Sequence, residues 1–189
     1  ELTKWKLDVL LVDKEADLAL QASGRNDGEV HPGIDLGKGS LKHKYIRRAN
    51  HMYADVCREL DVPFKQVGQY VLFRNAALKP LIGLYAFWRK HHDGIEDTEI
   101  ISGKELMRRE PNLTPETKFA MYNPSAGCVC PYGLTIAYAE NAVQNGAQVS
   151  LNTAVLSMEV SEHNIISVTT NRGVIHPKIV INAAGVFAE

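Results

Sequence analysis

A short apolar run near the amino terminus, Leu7-Asp-Val-Leu-Leu-Val-Asp13, constrains the fold more than any other feature of the sequence. The run is rich in valine and leucine and ends in an acid, which is typical of a strand buried in a parallel sheet. Parallel strands need crossover connections, and these are usually helices that cover a face of the sheet. The run therefore predicts an α/β layer that other parts of the chain complete.

The rest of the chain supplies both kinds of element. Apolar residues at helical spacing predict helices over residues 40–60, 76–92 and 134–145, and Ser102-Gly-Lys-Glu105 has the form of a capping box. Short apolar or alternating runs predict strands at residues 67–73, 119–123, 127–130, 148–151, 155–160, 165–170 and 174–181. This order predicts an α/β (α+β) chain, with a nucleotide-binding domain at residues 1–61 and 131–189 and a second domain at residues 62–130.

Composition argues against several classes of function. The formal net charge of −1 gives no electrostatic case for nucleic acid or an acidic membrane as partner. Three cysteines do not make a disulfide framework, so we expect a reducing, cytoplasmic location. Cys128 and Cys130 lack the spacing of a metal-binding pair, and the cluster of Trp88, His91 and His92 is more typical of a helix end. We therefore predict no metal site.

Three segments combine residue types that bind cofactors. Asp13 ends a strand where dinucleotide folds place an acid that accepts hydrogen bonds from ribose, and the alternative is a solvated strand end. Ala22-Ser-Gly-Arg-Asn-Asp-Gly28 contains small residues that let backbone N–H groups approach an anion, and the alternative is a turn-rich surface loop. Asn182-Ala-Ala-Gly185 allows close packing of a cofactor, and the alternative is a tight turn.

These segments belong to a series of short motifs that covers nearly the whole chain in one order. The series is Leu10-Leu-Val-Asp-Lys14, Ser23-Gly-Arg-Asn-Asp-Gly28, His31-Pro-Gly-Ile34, Gly39-Ser-Leu-Lys42, Glu110-Pro-Asn-Leu113, Pro131-Tyr-Gly-Leu-Thr135 and Asn182-Ala-Ala-Gly185. It resembles the FAD-dependent glycerol-3-phosphate dehydrogenases and the related L-2-hydroxyglutarate oxidases, within the D-amino-acid-oxidase-like flavoproteins. Because each motif is short, the shared order carries the resemblance.

The resemblance implies an incomplete FAD-binding, Rossmann-like domain that is interleaved with a substrate-binding domain. The FAD-binding residues that it implies are Asp13, Lys14, Ser23, Gly24, Arg25, Asn26, Val155, Ala183, Ala184 and Gly185. In this reading Asp13 binds the ribose and Val155 meets the adenine through its backbone. His31 lies nearest the flavin ring, where an imidazole suits the orientation or deprotonation of a substrate at neutral pH. The alternative is a histidine that bonds only within its own loop.

The reaction implied by the resemblance is hydride transfer from the carbon that bears a substrate hydroxyl to flavin N5. The substrate is then a small anion, either glycerol 3-phosphate or a 2-hydroxy acid. The resemblance leaves open a peripheral membrane or electron-acceptor partner and a homo-oligomer. A non-catalytic module that keeps the fold without the flavin is the competing class.

The family's first strand and its G-x-G-x-x-G turn are expected before Glu1. That turn presents N–H groups to the pyrophosphate, so we expect this 189-residue chain to bind FAD weakly or not at all and to be inactive. A purified protein with flavin absorbance would contradict this expectation. The strand near residues 7–12 is also expected to have an open edge, which predicts pairing with another chain.

Overall fold

The computed structural model describes residues 1–93, 98–162 and 164–188, which form a mixed α/β structure. In chain order the strands are β1 (Leu10–Val12), β2 (Glu29–Val30), β3 (Phe64–Lys65), β4 (Gln69–Phe73), β5 (Glu99–Ser102), β6 (Phe119–Asn123), β7 (Gly127–Val129), β8 (Gln148–Ser150), β9 (Val155–Ser161), β10 (Asn164–Thr170) and β11 (Gly173–Ile175). The helices are α1 (Leu41–Glu59), α2 (Lys79–Asp93), α3 (Gly103–Arg109) and α4 (Pro131–Gln144). The predicted α/β fold class is confirmed.

The chain divides into two compact units. The first unit consists of Glu1–Asp27 and Pro131–Glu189, and the second consists of Gly28–Cys130. The sequence places one boundary later, after residue 61, so that α1 would belong to the nucleotide-binding domain. That functional division stays a prediction, because compactness does not show which residues bind a nucleotide.

In the first unit, β1 pairs in parallel with β8, with Leu10 opposite Gln148 and Val12 opposite Ser150. The parallel pairing predicted from the first apolar run is confirmed, although the ladder is shorter than the run. The predicted burial is wrong, because Leu10 and Leu11 are 44% and 43% exposed. Helix α4 precedes β8, and the chain turns between them at Gly146, whose φ of +93° favours glycine. The predicted helix end at this glycine is also confirmed.

An antiparallel meander in the order β11-β10-β9 completes the strands described in the first unit. The prediction of a buried strand over residues 174–181 is wrong beyond Ile175, because residues 176–184 belong to no strand. Ile179 is 74% exposed and Ile181 is 65% exposed. A strand needs a neighbour that receives its backbone hydrogen bonds, and no described strand pairs with residues 176–184.

The second unit contains two antiparallel sheets, in the orders β2-β7-β3 and β4-β6-β5. Successive residues of a strand face opposite sides of the sheet, so β6 is buried on both sides. Met121 packs with Ala86 of α2 and with Ile34, whereas Ala120 packs with Leu106 of α3. The central strand therefore joins the two apolar clusters of this unit.

Side-chain caps fix where two helices of the second unit begin. Ser40 Oγ accepts the His43 N–H at 3.1 Å, and Ser102 Oγ accepts the Glu105 N–H at 3.3 Å. Both predicted helix starts are confirmed. Helix α2 follows a 3₁₀ turn at Ala76–Leu78, so Pro80 lies in its first turn, where a missing N–H costs nothing.

Candidate cofactor and catalytic sites

Asp13 directly follows β1, at the carboxyl end of the parallel pair. Its N–H donates to the Ser150 carbonyl at 3.0 Å, and its own carbonyl accepts the Thr153 N–H at 2.7 Å. The side chain is half-buried, and Oδ1 accepts the Glu15 N–H at 2.9 Å. A carboxylate has several lone pairs on two oxygens, so this turn leaves acceptor capacity for a ribose hydroxyl. Position and chemistry both fit the ribose end of a dinucleotide.

The predicted anion-binding segment, Ser23 to Asn26, is a turn held by hydrogen bonds within the loop. The N–H groups of Gly24 and Arg25 both donate to the Gln21 carbonyl at 3.1 Å. Asn26 Nδ2 donates to the Ser23 carbonyl at 3.0 Å. Gly24 and Asn26 therefore have structural roles that need no ligand, while the side chains of Ser23 and Arg25 are exposed. The contacts of this segment with FAD stay predictions.

The other predicted cofactor residues of the first unit lie on its surface. Lys14 Nζ lies 3.8 Å from the centroid of the Phe187 ring, in a cation–π contact. Phe187 ends a 3₁₀ turn that begins at Gly185, whose φ is +60°. The contact brings Lys14 next to this turn although the two are distant in the sequence. The remaining exposed members of the set are Val155, Ala183 and Ala184.

An open cavity of about 380 Å³ lies in the first unit and is lined mainly by β1, β8 and β11. Arg172 contributes to its wall. Its Nη1 donates a hydrogen bond to the Leu151 carbonyl at 3.1 Å, so this nitrogen already has a partner within the protein. The predicted FAD-binding residues are not among those that line the cavity. We therefore do not assign it to the cofactor.

His31 directly follows β2 in the second unit, with 40% of its side chain exposed. Its Nδ1 lies 3.5 Å from Oε1 of Glu29, and the same oxygen accepts a hydrogen bond from Gln69 Nε2 at 2.6 Å. Asn50 of α1 donates to the His31 carbonyl at 3.1 Å and to the Ser125 carbonyl at 2.9 Å. The backbone carbonyl of His31 is therefore held by a side chain, and its ring lies next to a carboxylate.

The backbone that follows His31 is fixed in the same way, and we call residues 31–36 the clamped loop. Side chains of α1 and α2 donate to its carbonyl oxygens: Arg47 Nη1 to Pro32 (3.1 Å), Arg89 Nη2 to Gly33 (2.8 Å), Tyr85 Oη to Ile34 (2.6 Å) and Arg89 Nη1 to Leu36 (2.7 Å). Arg89 is only 3% exposed. Four consecutive carbonyls, at residues 31–34, thus accept side-chain hydrogen bonds, which makes this loop a rigid support.

Sequence reasoning identified His31 only through the resemblance and missed the side chains around it. Glu29 carries one usable signal, because residues two apart in a strand share a face. Gln69 and Arg89 carry no such signal, because their hydrogen-bond partners lie 40 and 56 positions away in the chain. Arg47 carries no signal either, because basic residues on the solvated face of a helix would look the same in the sequence.

Across residues 1–93, 98–162 and 164–188, no group of three or more His, Cys, Asp or Glu side chains is placed to hold a metal ion. Helices in these same ranges are either too short or too polar to cross a bilayer. His91 and His92 instead pack against aromatic rings of α2, with centroid distances of 4.3 Å to Phe87 and 5.0 Å to Trp88.

The whole chain, residues 1–189, matches the model of one protein family, described as FAD dependent oxidoreductase (DAO). The chain belongs to this family. The predicted family is confirmed, and so is FAD as the cofactor by which the family is defined. The match includes every motif of the predicted resemblance, from Leu10-Leu-Val-Asp-Lys14 to Asn182-Ala-Ala-Gly185.

Its relatives include proteins named as dehydrogenases of two different substrates. The chain is 35% identical to glycerol 3-phosphate dehydrogenase of Caloramator mitchellensis over 100% of this chain and 39% of that protein. It is 28% identical to L-2-hydroxyglutarate dehydrogenase of Indibacter alkaliphilus over 97% of this chain and 45% of that protein. The chain therefore spans less than half the length of either relative.

A solved structure has the same fold. L-alpha-glycerophosphate oxidase from Mycoplasma pneumoniae, a dithionite-reduced structure with FAD bound, superposes with a TM-score of 0.78. It is 23% identical and covers 90% of this chain and 45% of its own. At this identity the likeness establishes the fold alone.

The residues of this chain fit part of an FAD site. Asp13 supplies an acceptor at the carboxyl end of a parallel strand, which suits the ribose. Arg25 supplies an exposed cation in the loop that follows, which suits an anionic group. The fit rests on the chemistry and placement of these two side chains in the first unit.

Proposed function

We propose that the complete protein is an FAD-dependent dehydrogenase that oxidises glycerol 3-phosphate at its secondary alcohol. The observation that carries this proposal is the 35% identity, over the whole chain, with a glycerol 3-phosphate dehydrogenase. A 2-hydroxy acid such as L-2-hydroxyglutarate is the second candidate substrate, supported by 28% identity with a dehydrogenase of that name. Both candidates share the chemistry of a secondary alcohol beside an anionic group.

In this proposal His31 is the catalytic base. Oxidation of an alcohol removes a proton from oxygen and a hydride from carbon, and the imidazole accepts the proton. Bound FAD would supply the acceptor for the hydride. The clamped loop holds the imidazole through the backbone, so that little reorganisation is needed when the substrate binds.

We also propose roles for the predicted cofactor residues. Asp13 and Lys14 act at the ribose end, and Ser23, Gly24, Arg25 and Asn26 lie along the pyrophosphate toward the isoalloxazine. Val155 meets the adenine, and Ala183, Ala184 and Gly185 pack near the ADP half. Residues 1–61 and 131–189 would then be the partial FAD-binding domain, and residues 62–130 part of the substrate-binding domain. Hydrogen exchange of the complete protein, measured with and without FAD, tests this division. Protection by FAD is expected mainly in residues 1–61 and 131–189.

We place the protein in the reducing cytoplasm. Of its three cysteines, Cys57 is buried, whereas Cys128 and Cys130 are exposed. Exposed thiols would be oxidised readily in an oxidising compartment. Alkylation during cell lysis, followed by mass spectrometry, is expected to find all three reduced, and a disulfide at Cys128 or Cys130 would contradict the assignment.

Steady-state assays of the complete protein with a dye acceptor test the proposed reaction. Glycerol 3-phosphate is expected to give the higher kcat/KM, and L-2-hydroxyglutarate the lower. His31→Gln is expected to reduce kcat by about 10²- to 10⁴-fold, the range for loss of a general base. His176→Gln, on an exposed histidine of the first unit, is the matched control. Equal activity of the two variants would reject His31 as the base, and inactivity on both alcohols would reject the function.

A further inference from the structure

Glu29 and His31 form a pair that the proposed function does not yet use. The two residues flank Val30 on β2, whose ladder to β7 places Glu29 opposite Cys128 and Val30 opposite Gly127. The ladder fixes the backbone on one side of His31, and Asn50 fixes its carbonyl on the other. This backbone brings the two side chains close together, with His31 Nδ1 3.5 Å from Glu29 Oε1.

The Glu29 carboxylate is itself oriented. Gln69 opens β4, where it lies opposite the fully buried Asn123, and its Nε2 donates to Glu29 Oε1 at 2.6 Å. Only 27% of the Glu29 side chain is exposed, so the carboxylate is partly shielded from water. A shielded carboxylate is a stronger acceptor for a neighbouring ring N–H than a hydrated one.

A neutral imidazole carries one proton, on either Nδ1 or Nε2, and the hydrogen bond made by one nitrogen decides which. An acceptor at Nδ1 keeps the proton there and leaves Nε2 with a free lone pair. The 3.5 Å between Nδ1 and Oε1 is longer than a formed hydrogen bond, and catalytic hydrogen bonds are often long before the substrate binds.

We propose that Glu29 is a positioning residue that keeps the proton of neutral His31 on Nδ1, so that Nε2 is the basic nitrogen. This inference rests on the proposed role of His31 and adds the group that sets its tautomer. During alcohol oxidation the substrate O–H bond would break, Nε2 would take the proton, and the resulting imidazolium would be stabilised by the Glu29 carboxylate. Gln69 holds that carboxylate in place and is the second positioning residue.

The tautomer is measured directly by ¹⁵N NMR of the histidine rings in the complete protein, at a pH where His31 is neutral. His31→Asn identifies the His31 signals. The wild type is expected to show the Nδ1–H form, whereas the Nε2–H form usually prevails in free histidine. Glu29→Leu removes the acceptor and is expected to shift His31 toward Nε2–H. Glu116→Leu, on an exposed glutamate of the same unit, is expected to leave the tautomer unchanged.

The same variants give a kinetic readout. Glu29→Leu is expected to lower kcat by about 100-fold, the scale for a misoriented catalytic group, with little change in KM. Gln69→Leu keeps the Glu29 carboxylate but removes the donor that orients it, so a smaller loss of kcat with the Nδ1–H form retained is expected; this variant also serves if Glu29→Leu does not fold. An Nε2–H tautomer in the wild type would overturn the inference, as would an unchanged tautomer in Glu29→Leu. Inactivity on both alcohols with the Nδ1–H form intact would reject the proposed function and leave the pairing standing.

Discussion

At the scale of single residues, Gly24 is required by its own loop. A Cβ at this position would lie 2.1 Å from the Ala19 carbonyl oxygen and 2.9 Å from the Ala19 Cβ. Because backbone cannot move aside as a flexible side chain does, Gly24→Ala is expected to lower the free energy of unfolding by about 1–3 kcal/mol. Gly37→Ala is the control, since a Cβ there meets no atom within 4 Å. Urea denaturation that gives equal stabilities would contradict the prediction.

The same residue shows what sequence reasoning reached and what it missed. The glycine was recognised as a position of close approach, and the approach was assigned to a cofactor phosphate. The structure shows that the approaching group includes the chain's own carbonyl at Ala19. A sequence signals that space is needed at a glycine, but it does not name the neighbour that needs it. Asp13 was more predictable, because the end of a parallel strand is defined by the strand itself.

At the scale of elements, helix α2 supports the clamped loop through one buried cation. Arg89→Met removes the donors to the Gly33 and Leu36 carbonyls and leaves these acceptors without that partner. The expected loss is about 2–4 kcal/mol of unfolding free energy, because an abandoned buried acceptor costs roughly 1–3 kcal/mol and the half-buried one at Leu36 costs less. Lys90→Met, at the next and exposed position, is the control. Amide exchange at residues 33–38 is expected to quicken only in Arg89→Met, and equal exchange in the two variants would show that the clamp is unimportant.

Glu105 of helix α3 makes the stability of the fold decrease in acid. Hydrogen bonds from Arg108 and Arg109 lower the pKa of Glu105 from 4.5 to about 2. A lowered pKa in the folded state means that the stabilisation is complete above about pH 4.5 and is lost as the pH falls toward 2. As the pH falls from 5 to 2, the free energy of unfolding, measured by denaturation, is expected to decrease less in Glu105→Gln than in Glu110→Gln. Glu110 is an exposed glutamate at the end of the same helix. Identical profiles would contradict the assignment.

Helices were predicted more reliably than their buried faces. Ser40 and Ser102 gave the correct helix starts, because a cap is a local interaction. In α2 the apolar spacing predicts one face with Leu81, Leu84, Tyr85 and Trp88. Tyr85 packs against the cluster around Ile34, but Leu81 and Leu84 are 61% and 65% exposed and Trp88 is 44% exposed. The buried face instead includes Arg89, a residue type that sequence patterns assign to solvent. Burial of this cation depends on carbonyls of the clamped loop, which helical periodicity does not reveal.

At the scale of the whole molecule, the order of the motifs is enough to recognise the family. The candidate cofactor residues and the candidate base differ in how far the sequence predicts them. Asp13 and the following loop lie in a segment whose motifs are contiguous in sequence. The support of His31 is assembled from α1, α2, β2 and β4, whose partners are distant along the chain. Local motifs therefore gave the predicted cofactor residues, and only the folded second unit revealed which side chains support the proposed base.

The open edge of β1 gives the whole molecule an expected behaviour in solution. Among the described strands β1 pairs only with β8, and Leu10 and Leu11 are 44% and 43% exposed. An apolar strand with a free edge invites pairing with another copy, which a lysine on the strand opposes. Light scattering of this chain is expected to show a mass that rises with concentration, and Leu11→Lys is expected to remove the rise. Leu41→Lys, on α1 and 70% exposed, is the control away from any sheet edge. A monomer at all concentrations, or equal suppression by both lysines, would reject association through this edge.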